Sequence, residues 1–302
     1  MKELVEIVDV GPRDGIQSQS TLLDTDTKLE FIERLIDAGV RRIEVASFVN
    51  PKRVPQMADI DELISRLQRR DEVQFIGLVL NRRGFDRAAE SGIDQINCTT
   101  VASETFCQRN QGTSVAEMYQ TIREIAVEAQ AAKQFIGVTI AASFGCPFEG
   151  EISPQRVATM ARQFADLGVD EIALADTIGV AVPSDVSRLL ELVAREVGST
   201  PIRVHFHNTR NTGVANAYAA FQAGVRIIDA SCGGVGGCPF APGATGNVAT
   251  EDVLYMLQRM GVETGISIEK IISTAKWLEG PLGSAMPAMV SRAGLFPPAA
   301  AA

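Results

Sequence analysis

His205 and His207 are the only histidines in a chain of 302 residues. They stand one residue apart in "IRVHFHNTRN" (202–211), at the end of a β-branched run. In a strand, residues two apart point to the same side, so both imidazoles can face one ion. Asp14 would complete a set of two histidines and one carboxylate, and Asn247 can add an amide oxygen. Nitrogen and oxygen ligands without thiolate suit Mg²⁺ or Mn²⁺ better than structural zinc. The plain alternative is a pair of hydrogen-bonded histidines at a polar strand end.

Other polar residues fall in places where packing explains them poorly. Glu44 and Asp176 lie inside otherwise apolar strands, where an unpaired carboxylate is costly. Arg13 and Asp14 belong to "GPRDGIQ", which reads equally as ordinary turn chemistry. Cys238 sits in "GGVGGCPFAPGATGN", a loop too rich in glycine and proline to bury much.

The elements that would position these residues alternate regularly. Strands are expected at 4–10, 42–48, 74–80, 94–100, 136–142, 171–177, 202–207 and 226–231. Amphipathic helices such as 25–38 and 154–167 lie between them, the second with Ser153 as N-cap and Pro154 at its first position. Gly39, Gly92, Gly168 and Gly224 suit left-handed helix ends. Eight such units favour a closed parallel (β/α)8 TIM barrel over an open doubly wound sheet. Residues 250–296 are expected as a C-terminal helical extension and 297–302 as a tail, all within one domain, 1–302. Barrel chemistry sits at the C-terminal strand ends. Five of the eight ends carry the residues above: Arg13 and Asp14, Glu44, Asp176, the two histidines, and Cys238 with Asn247.

Bulk properties narrow the function classes. A net charge of −9 argues against nucleic-acid binding, which needs a basic surface. No apolar run suggests a membrane span or secretory signal. Five cysteines, an odd number and scattered, do not form a disulfide framework, so a reducing cytoplasmic setting is expected.

The segments "VDVGPRDGIQ", "IEVASFVNPKRVPQMAD", "GCPFEGEISP", "LADTIGVAVP", "VHFHNTRN" and "GGVGGCPFAPGATGNVATEDV" together resemble the 3-hydroxy-3-methylglutaryl-CoA lyase family. The likeness runs from about residue 4 to 290. It implies a metal-dependent retro-Claisen cleavage of a tertiary 3-hydroxyacyl-CoA, giving acetyl-CoA and a keto acid. It also implies that Asp14, His205, His207 and Asn247 hold the cation and that Arg13 sits beside the thioester oxygen. Glu44 and Asp176 would lie near the substrate hydroxyl, and Cys238 would protonate the enolate from a loop over the site. The base stays open among His205, Asp176 and a metal-bound water. Substrate contacts are expected from Arg13, Gln17, Arg210 and Asn211. Lys52, Arg53 and Arg109 are coenzyme A candidates by loop position alone. A homodimer or higher oligomer is implied as well.

The chain departs from the family pattern in two places. It has "HNTRNT" where "HDTYGQ" is common, and "GIQSQS" where "NEK" usually follows the glutamine. The first change puts substrate identity in question, so a citramalyl-CoA lyase stays beside the parent activity. A condensing synthase, which usually carries a further C-terminal region, and a non-catalytic metal-binding barrel are the remaining alternatives.

Overall fold

The computed structural model describes residues 3–237 and 246–297. Eight parallel strands close into a barrel: β1 (Glu6–Asp9), β2 (Arg42–Ser47), β3 (Gln74–Val79), β4 (Gln95–Val101), β5 (Phe135–Ala141), β6 (Glu171–Asp176), β7 (Ile202–Phe206) and β8 (Ile227–Ala230). Each expected strand is present, six of them shortened by one to three residues and β4 and β5 displaced by one. β1 pairs with both β8 and β2, so the sheet has no free edge.

Helices surround the barrel: α1 (Thr25–Ala38), α2 (Ile60–Arg66), α3 (Arg82–Ser91), α4 (Glu104–Gln111), α5 (Val115–Ala131), α6 (Pro154–Asp166), α7 (Pro183–Glu196), α8 (Gly213–Gln222), α9 (Thr250–Arg259), α10 (Ile268–Leu282) and α11 (Met289–Ala293). Local chemistry sets their ends. Asp24 caps α1 by accepting the Thr27 N–H at 2.8 Å, and Ser114 with Glu117 forms a capping box on α5. Ser153 holds the cap position of α6 without a side-chain bond, and Pro154 starts that helix. Gly39 ends α1 at φ +104°, and a side chain there would meet the Gly265 carbonyl. The segment expected as a C-terminal helical extension, 250–296, is helical and packs on the barrel helices. α9 packs on α8, and α10 lies against both α9 and α1.

Strand alternation divides the interior in two. Ile43 and Val45, Ile96 and Cys98, Ile172 and Leu174, and Val204 and Phe206 face the helices and join the main apolar core. Their neighbours face the barrel axis, where a small separate cluster holds Val8, Val10 and Ile76. A chain of linked charges also runs along the axis. Arg42 pairs with Glu171 at 2.9 Å, Glu171 with Arg203 at 3.0 Å, and Arg203 with Asp229 at 3.3 Å. Branched apolar side chains usually dominate a barrel interior. Here the linked ions occupy much of it.

Removing one member of a buried ion network leaves its partners uncompensated, at a typical cost of about 3–5 kcal/mol. Glu171→Ala is therefore expected to lower the unfolding free energy by that amount, read as a lower urea midpoint at an unchanged m-value. A loss below about 1 kcal/mol would show that the two arginines find other partners.

Candidate metal centre and active site

β1 ends in a π-type turn, Gly11–Gly15, that sets Arg13 and Asp14 at the barrel mouth. Asp9 organises this turn. Its carboxylate accepts the Gly11 N–H at 2.9 Å, the Cys232 N–H at 3.1 Å and the Thr250 hydroxyl at 2.8 Å, tying β1 to the segments after β8. Complete burial pushes Asp9 up to about 7 despite these donors.

The histidines come from β7 and the residue after it. His207 is bridged to Asn247, with the Asn208 N–H donating to the Gly246 carbonyl and the Val248 N–H to the Phe206 carbonyl. Backbone pairing therefore fixes Asn247 beside His207. One nitrogen of each histidine and a carboxylate oxygen of Asp14 lie within 4.8 Å of one another. Nε2 of His205 and of His207 are 4.0 and 3.8 Å from Asp14 Oδ2. Those separations exceed a hydrogen bond.

The residues fit a divalent cation. Asn247 donates from Nδ2 to Asp14 at 2.9 Å and to the Val235 carbonyl at 3.2 Å, while its Oδ1 is buried without a hydrogen-bond partner. A buried acceptor without a donor is the atom a cation would use. His205 Nδ1 lies 3.1 Å from Asp229 Oδ2. An ionised carboxylate only accepts, so Nδ1 carries the proton and Nε2 keeps its lone pair for a ligand bond.

Electrostatics keeps Asp14 ionised, as a ligand must be, and makes His205 sensitive to protons. Burial alone would raise Asp14, but Arg13 and then the two histidines outweigh it and hold the carboxyl well below its ordinary range. For His205, burial opposes the charged ring, yet the Asp229 hydrogen bond and the Asp14 charge raise it above the ordinary histidine value.

Arg13 is held on three sides. Nε donates to Glu44 at 2.7 Å, Nη2 pairs with the same carboxylate at 2.5 Å, and Nη1 donates to Asp14 at 2.7 Å. A guanidinium has five N–H donors, so two remain for a substrate oxygen. Glu44 thus anchors Arg13; Asn97 donates to Glu44 at 3.4 Å and in turn accepts from the Thr139 hydroxyl at 3.1 Å. Gln17 follows one turn later, its Oε1 buried and without a partner.

The remaining expected residues have other tasks on view. Asp176 accepts the N–H groups of Val180 and Ala181 at 2.9 and 3.0 Å, folding the loop after β6, and burial raises its pKa. Arg210 donates from Nη1 to the carbonyls of Ile178 and Gly179, fastening that loop to the one after β7. Asn211 adopts a left-handed φ of +58°, the position where the family pattern has glycine. Arg109 stacks over Phe148, 4.2 Å from the ring centre. Cys238 lies outside the described residues. Sequence reasoning missed Asp229 and Arg203, although both interrupt apolar strands as Glu44 does.

Residues 4–278 match the HMGL-like family. The chain is 43% identical to the (R)-citramalyl-CoA lyase of Chloroflexus aurantiacus, covering 97% of this chain and 95% of that one. It is 37% identical to the hydroxymethylglutaryl-CoA lyase YngG of Bacillus subtilis, covering 94% and 95%. Its fold superposes with a TM-score of 0.94 and 36% identity on an HMG-CoA lyase from Acinetobacter baumannii in complex with coenzyme A and 3-methylmalate, covering 99% and 98%. Among the described residues no helix is long and apolar enough to cross a membrane.

Proton competition gives this centre a testable pH dependence. A protonated imidazole cannot ligate, and His205 stays protonated to a higher pH than an ordinary histidine. Mn²⁺ affinity should therefore fall as pH drops below that raised value, approaching about tenfold per unit for one competing proton. Calorimetric titrations between mildly alkaline and mildly acidic buffers check this. A flat affinity would exclude His205 as a ligand.

Proposed function

This chain belongs to the HMGL-like family of carbon–carbon lyases, and on that premise we propose that it cleaves a tertiary 3-hydroxyacyl-CoA in a divalent-metal-dependent retro-Claisen reaction. The observation that carries the reading is the set of Asp14, His205, His207 and Asn247 abutting an arginine with donors to spare. The leading substrate is 3-hydroxy-3-methylglutaryl-CoA, giving acetyl-CoA and acetoacetate. Identity of 43% over nearly all of both chains favours a second reading, citramalyl-CoA, giving acetyl-CoA and pyruvate. The two substrates differ by one methylene between the hydroxyl-bearing carbon and the carboxylate.

When bound, Mg²⁺ or Mn²⁺ would polarise the substrate oxygens and acidify the hydroxyl. Asp14, His205, His207 and Asn247 would hold it. A base of the site takes the hydroxyl proton as the carbon–carbon bond breaks. With both nitrogens of His205 committed, that role falls to Asp176, whose carboxylate keeps lone pairs beyond its two backbone hydrogen bonds. The bond's electron pair passes into the thioester, forming an enolate. The two free donors of Arg13 meet the charge growing on the enolate oxygen, pre-aimed by Glu44 and Asp14. Cys238 is proposed to return a proton to the enolate carbon, completing acetyl-CoA. Gln17 offers a buried acceptor at the mouth, and Arg210 shapes the adjoining loops. The site is proposed to work in the cytoplasm, in a homodimer or larger oligomer.

The decisive assay follows acetyl-CoA release from both thioesters, with acetoacetate and pyruvate measured separately. Chelation should abolish turnover, and Mn²⁺ or Mg²⁺ should restore it. Arg13→Gln should lower kcat by roughly 10²–10³-fold while leaving metal binding intact. Cys238→Ala should stop turnover without weakening Mn²⁺ binding. Metal binding without cleavage of either thioester would overturn the lyase reading.

A further inference from the structure

The charged axis of the barrel ends on a metal-site histidine. Arg203 and His205 are two residues apart on β7 and share the axial face, and Asp229 on β8 stands directly opposite His205 in register. The Asp229 carboxylate is divided between them. Oδ1 meets Arg203 Nη1 at 3.3 Å, and Oδ2 meets His205 Nδ1 at 3.1 Å. Arg203 is 2% exposed and is itself braced by Glu171 at 3.0 Å, which Arg42 holds in turn at 2.9 Å.

We propose that Arg203 is a remote positioning residue for the metal centre: it orients Asp229, which keeps His205 as the Nδ1–H tautomer with Nε2 aimed at the cation. The proposal rests on the reading of His205 as a ligand, and it assigns work to a residue beyond the coordinating set. Occupying Oδ1 leaves Asp229 one oxygen for the histidine, which fixes the plane of the carboxylate and the tautomer it accepts from. A planar guanidinium can span Glu171 and Asp229 at once, which a lysine ammonium does less well. His207 has no such support, because its Nδ1 is buried without a hydrogen-bond partner. The two histidines are thus unlike, one locked from behind and one not.

Having only two histidines makes the test direct, since long-range ¹H–¹⁵N spectra of the full-length chain contain just two imidazole systems. Arg203→Met alone strands Glu171, so the informative variant is Arg203→Met with Glu171→Met, in which Arg42 keeps Glu6 and Gln95 as partners and Asp229 keeps His205. Arg203→Lys is the milder companion if that protein does not fold. After chelation, wild-type His205 should read as the Nδ1–H tautomer. The double variant should show a mixture with Nε2–H, an unchanged His207, and Mn²⁺ affinity about 10- to 100-fold weaker. In Arg203→Lys the His205 signal should shift the same way by less. A folded variant whose His205 pattern matches wild type, with Mn²⁺ affinity within about twofold, overturns the proposal. Should wild type fail to take Mn²⁺ at all, the ligand reading falls, and the tautomer comparison in metal-free protein still decides the role of Arg203.

Discussion

Closing a parallel sheet on itself forces every second strand residue toward one narrow axis. In this chain several of those residues are ionised. An ion in that setting persists only where counter-charges and hydrogen bonds surround it. Arg42, Glu171, Arg203 and Asp229 satisfy this by linking in series, each supplying the partner the next requires. The mouth of the barrel follows the same rule with Glu44, Arg13 and Asp14. The functional face is thus the upper end of a charge pattern that begins at the opposite end of the barrel.

That view separates residues that touch substrate from those that hold them. Arg13 retains donors after its ion pairs are counted, whereas both oxygens of Asp176 are engaged by backbone amides. Glu44 braces Arg13 and is backed by Asn97. A substitution at Glu44 should therefore act through geometry, whereas one at Asp176 should disturb both the loop fold and the proposed base. A conservative amide at either position is informative because it keeps size while changing the bonding pattern.

Much of this was legible in the residue string. The spacing of two within "VHFH" gave a shared face, and the eight alternations of strand and helix gave the barrel and the mouth to which its chemistry belongs. Asn247 was readable as a candidate amide ligand, but its bridge to His207 was not, because it depends on backbone pairing between distant segments. Arg203 and Asp229 were readable as charges in apolar strands, but their pairing is not, since register across β7 and β8 sets it. Arg210 and Asn211 drew attention as changed residues. Their contacts show a loop clasp and a left-handed turn, so sequence divergence there has kept the chain's path.

The Gly-rich segment after β8 leaves and rejoins the barrel at nearly one point. A Cβ on Gly246 would collide with the Gly234 carbonyl, and the Asn247 bridge follows at once. A graft surgeon would recognise the arrangement: a stretch with adjoining stumps can be exchanged without re-siting the tissue on either side. Evolution has the same freedom here. The residues around Cys238 between these two glycines can change while the ligand beyond them keeps its place.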